Sequence, residues 1–186
     1  MKTIVHTTQA VYRQLVNITS RPGHIELIEE EVKNYSDFSN ATLLTTMTLF
    51  DNEISFITPD EAMDKEIKVL TGAKSIDSLK EIDFIVLQAA DLKEEYFTET
   101  AHGVLISPEK SVTLIIEVDS VTSGESYIFS GPGIKDETKV NIALEHEWIS
   151  LRNEACKEFP LGLDIILTDK ENRAMMIPRT TKVEVA

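Results

Sequence analysis

Few residues in this 186-residue sequence have the type and spacing to do chemistry, and each grouping also has a plainer structural reading. The four histidines, His6, His24, His102 and His146, are scattered, with no His-Glu-x-x-His and no His-x-His arrangement. Glu145-His146-Glu147 is the one local mixture of histidine and carboxylates. Neighbouring side chains on a helix point about 100° apart, so these three cannot converge on one metal by themselves. They read as a solvated helix face, and no metal is expected. The single cysteine, Cys156, excludes an internal disulfide, a Cys-rich zinc site and an iron–sulfur cluster held within one chain. With Lys157 and Glu158 beside it, Cys156 reads as an incidental thiol before a reactive one.

Two glycine turns and the C-terminal segment offer more. Ser130-Gly131-Pro132-Gly133 follows an apolar strand pattern, and its backbone N–H groups could face an anion. It lacks the Gly-Lys-Ser/Thr ending of a Walker loop and the spacing of a dinucleotide fingerprint, so a plain turn stands as the alternative. Ser20-Arg21-Pro22-Gly23 reads first as a helix-ending turn. In the C-terminal segment, Asp164 opens an apolar strand, and Arg179-Thr180-Thr181 follows a strand end. A guanidinium fork with two hydroxyls suits phosphate or carboxylate recognition. The same residues also suit an ion pair from Asp164 to Arg179 with loop-capping hydroxyls. The candidate anion site is therefore Arg179, Thr180, Thr181, Gly131, Gly133 and Asp164, with no nucleophile or base assigned.

The elements that must position these residues follow from periodicity. Val11, Leu15 and Ile18 lie on one helix face that Pro22-Gly23 stops, and Ile25-Glu26-Leu27 alternates like a short strand. Residues 34–40 read as a loop, and a second helix face carries Leu43, Met47 and Phe50. Asp51-Asn52-Glu53 turns the chain into strand 54–57. Thr58-Pro59-Asp60-Glu61 has the form of a capping box with proline at the first helical position. Met63, Ile67 and Leu70 supply the stripe behind it, and Gly72 the stop.

The apolar runs 82–87 and 112–118 predict strands covered on both faces. Residues 93–99 read as charged and solvated. Ser123-Gly124-Glu125-Ser126 predicts a hairpin that pairs residues 127–129 with strand 112–118. From Val140 the face Leu144, Trp148, Leu151 predicts a helix that ends near Cys156. Strand 163–167, a turn at 169–172 and strand 174–177, stopped by Pro178, close the pattern. Interleaved helices and strands with hairpins predict one α/β domain over residues 1–186, a three-layer arrangement of a mixed sheet flanked by helices.

Composition then excludes whole classes of function. Asp and Glu number 32 against 18 Lys and Arg, a net charge of −14. That balance disfavours nucleic acid and anionic membranes as partners. No run of about 18 apolar residues offers a membrane span. The N-terminal residues lack the apolar run of a signal peptide, so a cytoplasmic location is expected.

The segment Phe159-Pro160-Leu161-Gly162-Leu163-Asp164-Ile165-Ile166-Leu167-Thr168, followed by Ile177-Pro178-Arg179-Thr180-Thr181-Lys182-Val183-Glu184-Val185, closely resembles the C-terminal signature of the PhnH family. Tyr12-Arg13-Gln14-Leu15 with Ser20-Arg21-Pro22-Gly23, and Phe129-Ser130-Gly131-Pro132-Gly133-Ile134, resemble its opening helix and glycine loop. The matched segments reach from end to end, while residues 30–110 agree in pattern alone.

The resemblance implies a subunit of the bacterial carbon–phosphorus lyase system, working with PhnG, PhnI and PhnJ in organophosphonate breakdown. In the first step of that system a phosphonate displaces adenine from ATP to give a ribose 1-phosphonate 5-triphosphate. The later radical cleavage by PhnJ needs an iron–sulfur cluster that one cysteine cannot hold. The resemblance also implies a fold like the large domain of pyridoxal-phosphate-dependent transferases, and a homodimer. No cofactor is expected, because no motif places a Schiff-base lysine. The implied role is accessory, with direct binding of nucleotide or phosphonate as the alternative.

Overall fold

The computed structural model describes residues 4–186. The first three residues of the N-terminal segment considered above as a leader lie outside them. A seven-stranded sheet runs through the middle of the molecule. It consists of β1 (Glu26–Leu27), β2 (Ser55–Ile57), β3 (Lys74–Ser75), β4 (Phe84–Gln88), β7 (Thr113–Val118), β10 (Asp164–Asp169) and β11 (Arg173–Ile177), in the order β1-β11-β10-β7-β4-β2-β3. Strands β10, β7, β4, β2 and β3 are mutually parallel, β11 runs antiparallel to β10, and β1, antiparallel to β11, points the same way as the parallel set. The runs of Ile, Leu and Val read as doubly covered strands occupy its centre, with Ile115 level with Val86 on one side and Ile166 on the other.

Alternation sorts their side chains onto two faces. Val86, Ile115 and Ile166 point to the layer made by α1 (Ile4–Ser20), α2 (Asn40–Leu49) and α3 (Glu61–Thr71). Ile85, Leu87, Leu114, Ile116, Ile165 and Leu167 point to the opposite layer. That layer contains α4 (Glu95–Thr98), α5 (Glu147–Ala155) and a three-stranded antiparallel sheet of β8 (Glu125–Ser130), β9 (Glu137–Ile142) and β12 (Lys182–Val185). The three layers are present, but the second cover is largely sheet where helices were expected. A separate hairpin, β5 (His102–Val104) with β6 (Ser107–Ser111), projects from the domain.

Several local expectations need correction. Residues 127–129 do not pair with β7; they belong to β8, between β12 and β9. Val140 lies in β9, so the helix begins only at Glu147, after the stripe's first member Leu144. Side chains at 138, 140 and 142 fit a strand at period two as well as 140, 144 and 148 fit a helix, and local sequence could not arbitrate. In the charged segment 93–99, Tyr96 and Phe97 are buried under α5's layer. Leu70, expected in the buried stripe, is 41% exposed.

The α3 cap also moves. Asp60, not Thr58, accepts the Met63 N–H at 2.6 Å, while Thr58 Oγ1 accepts from Asp60 N at 3.4 Å. An N-cap carboxylate also meets the positive end of the helix dipole. Asp60→Ala should therefore destabilise the protein by about 1 kcal/mol in urea titration, with Thr58→Ala near neutral.

Candidate functional site

The C-terminal motif is built where the β10–β11 hairpin ends. Pro178 cannot extend the ladder, and its carbonyl accepts the Thr181 N–H at 2.9 Å, so residues 178–181 form a turn before β12. The turn brings Arg179 over Asp164, the first residue of β10. Arg179 N donates to Asp164 Oδ1 at 2.7 Å and Nε to Oδ2 at 3.1 Å, with Nη2 reaching the same oxygen. Nη1 donates to the Pro108 carbonyl at 2.6 Å, and Nη2 also meets Ser111 Oγ. Both side chains are more than four-fifths buried. One guanidinium thus clamps β10, β6 and the tail turn, its charge balanced by Asp164.

Gly131 and Gly133 come to the same region by backbone packing. The Ile134 N–H closes their turn on the Gly131 carbonyl at 3.1 Å. A Cβ on Gly131 would stand 2.9 Å from Thr180 O, so the glycine turn lies directly against the tail turn. Thr180 is exposed and Thr181 is buried.

Sequence reasoning missed Arg152. It sits on α5 four residues after Trp148, on the helix's inner face, and is only 2% exposed. Its Nη1 donates to Thr181 O at 2.5 Å and to Asn153 Oδ1 at 3.2 Å, and its Nη2 to Pro178 O at 2.6 Å. Burial pulls its proton affinity below the ordinary arginine value, and the nearby Cys156 and Asp164 oppose that pull. A positively charged residue one turn from Trp148 in an apolar stripe was the signal. Arg152, Cys156, Arg179, Thr180, Thr181 and Lys182 line a hollow of about 280 Å³. Lys182 Nζ lies 2.8 Å from Glu184 Oε1.

Glu117 was missed too, the one charge inside the apolar run 112–118. Its Oε2 accepts from Ser39 N at 2.7 Å and Thr42 Oγ1 at 2.5 Å, which places a buried carboxylate at the N-terminus of α2. Asp169, the last residue of β10, is fully buried and accepts from Glu171 N, Arg173 N and Arg173 Nε.

The remaining candidates stay apart. His102 meets the Phe97 carbonyl at 2.8 Å, His24 pairs with Glu26 at 3.2 Å, and His146 lies 3.1 Å from Glu125. Cys156 is half-buried, with its Sγ 3.5 Å from Leu163 O. Among the described residues, no three His, Cys, Asp or Glu side chains are grouped to hold a metal. No helix of the described residues is long and apolar enough to cross a membrane.

Fold and site define a mixed α/β protein whose C-terminal motif is a charge-clamped turn beside a cation-lined hollow. The family model described as "Bacterial phosphonate metabolism protein (PhnH)" matches residues 1–184, and the chain belongs to this family. The chain is 29% identical over 185 residues to "Alpha-D-ribose 1-methylphosphonate 5-triphosphate synthase subunit PhnH" of Rhizobium meliloti (strain 1021), covering 97% of this chain and 92% of that protein. It is 27% identical over 178 residues to "Putative C-P lyase subunit protein HtxG" of Stutzerimonas stutzeri, covering 95% and 86%.

Proposed function

We propose that this chain is a subunit of a carbon–phosphorus lyase assembly, supporting the transfer of a phosphonate onto the ribose of ATP without supplying the reacting groups. The observation that carries the reading is the near full-length likeness to two proteins each named as a subunit. PhnG-, PhnI- and PhnJ-like chains are the expected partners, in the cytoplasm. As an isolated chain it pairs with a second copy. The whole of residues 1–186 acts as one domain. Its five parallel strands support a likeness to the large domain of pyridoxal-phosphate-dependent transferases, without the cofactor.

The β5–β6 hairpin suits a role based on contact. Its tip carries Val104, Leu105 and Ile106, 59%, 74% and 95% exposed, three consecutive apolar side chains that bury little within the chain. A row of this kind at a projecting tip is the apolar centre of an interface. Expressed together with the other core subunits, the chain should co-purify with them. Leu105→Ser with Ile106→Ser should weaken that association at least tenfold and leave the thermal midpoint of the isolated chain unchanged. Failure of the unaltered chain to co-purify would sink the reading.

Direct binding of a phosphorus oxyanion by this chain is the second reading. The observation that favours it is the cation-lined hollow at Arg152 and Lys182.

A further inference from the structure

The hydrogens of Arg152 do not all have partners. Nη1 uses both of its own on Thr181 O and Asn153 Oδ1, and Nη2 uses one on Pro178 O. The Nε hydrogen and the second Nη2 hydrogen remain. Nε has no hydrogen-bond partner among the described residues, although it is buried. Thr181 Oγ1, in the same wall, is likewise buried without a partner. Among the described residues Arg152 has no ion pair of its own, and the nearby Asp164 is engaged by Arg179. A buried cation without a carboxylate, beside a buried hydroxyl without an acceptor, is costly unless an anion meets both.

We infer that the hollow between α5 and β12 is a binding site for a tetrahedral oxyanion, the phosphoryl group of a phosphate ester or a phosphonate. Arg152 keeps N–H donors on Nε and Nη2 that no protein acceptor takes, and a guanidinium gives charge-assisted hydrogen bonds to an oxyanion. Thr181 Oγ1 supplies a third donor. Lys182, adjacent in sequence and at the rim, supplies a second charge, which Glu184 holds in the free protein. Donors from three residues suit a group with three oxygens better than a carboxylate with two. The hollow's 280 Å³ admits such a group, since a water molecule occupies about 30 Å³ in the liquid. The overall charge of −14 does not forbid it, because exposed charges are screened within about 8 Å at physiological salt.

The inference deepens the second reading above. The test is a titration of the full chain, ¹⁵N-labelled, with inorganic phosphate, methylphosphonate and acetate, read at the Arg152 Nε–H and the Thr181 amide. Phosphate or methylphosphonate should shift both signals saturably in the millimolar range, and acetate should bind at least tenfold more weakly. Between the two, tighter methylphosphonate binding assigns the site to phosphonates and tighter phosphate binding to phosphate esters. Thr181→Val keeps the side-chain shape, so it should fold normally and weaken binding about tenfold. Glu184→Gln releases Lys182 and should tighten binding about threefold. Absence of saturable shifts at these two positions, equal binding of acetate, or wild-type affinity in Thr181→Val would each overturn the assignment. Co-purification with partner subunits is unaffected by any of these results, so the two readings fail separately.

Discussion

Arg179→Ala should lower the unfolding free energy by about 3–5 kcal/mol, the cost of leaving one partner of a buried ion pair uncompensated. The residue left behind is Asp164, whose Oδ1 keeps only the residue 179 N–H and whose Oδ2 loses both guanidinium contacts. The Pro108 carbonyl and Ser111 hydroxyl lose the same partner, which frees β6 from the start of β10. In a protein of this size the change corresponds to a fall of roughly 10 °C in melting temperature. Arg179→Lys should recover less than half, because one ammonium cannot span Asp164, Pro108 and Ser111 together. Thermal unfolding of the three proteins measures this directly, and a loss below about 1 kcal/mol in the alanine variant would contradict it.

Gly133→Ala should cost about 3 kcal/mol for a different reason. Gly133 has φ +83, and an added Cβ would press on Ser20 O at the end of α1 and stand 2.9 Å from Pro22 Cδ. Neither neighbour can retreat without moving the turn that ends the helix. Gly72 makes a control. It has φ +77, but a Cβ there would meet nothing closer than Asn52 Cβ at 3.7 Å. Gly72→Ala pays only the conformational term, about 1 kcal/mol. Urea denaturation should separate the two by about 2 kcal/mol, and equal losses would mean that the close approach to Ser20 contributes nothing.

The parts legible in the sequence were those fixed by local rules. The buried runs in β4, β7 and β10, the β10–β11 hairpin and the Gly72 stop are each set by a few adjacent side chains. The small sheet was not legible, because β8 pairs with β12, more than fifty residues later, and that pairing depends on which layer buries Tyr127, Phe129 and Val183. At the site, Asp164, Arg179, Thr180 and Thr181 are near neighbours because a hairpin and one turn separate them. Arg152 joins them only through the packing of α5 against β12, a contact that no local spacing encodes. Glu117 stood out as a charge in an apolar strand, yet its partners at Ser39 and Thr42 lie more than seventy residues away.

The two ends of the central sheet carry a consequence for colloidal behaviour. Both edge strands, β1 and β3, are only two residues long, and the outer β1 carbonyl of Leu27 is taken by Gln14 Nε2 of α1 at 2.7 Å. So little free ladder gives another chain almost nothing to template on. Growth that extends the central sheet should therefore be resisted when the protein is concentrated, and a chain that adds a strand would find its longer free edges in the small sheet, at β9 and β12.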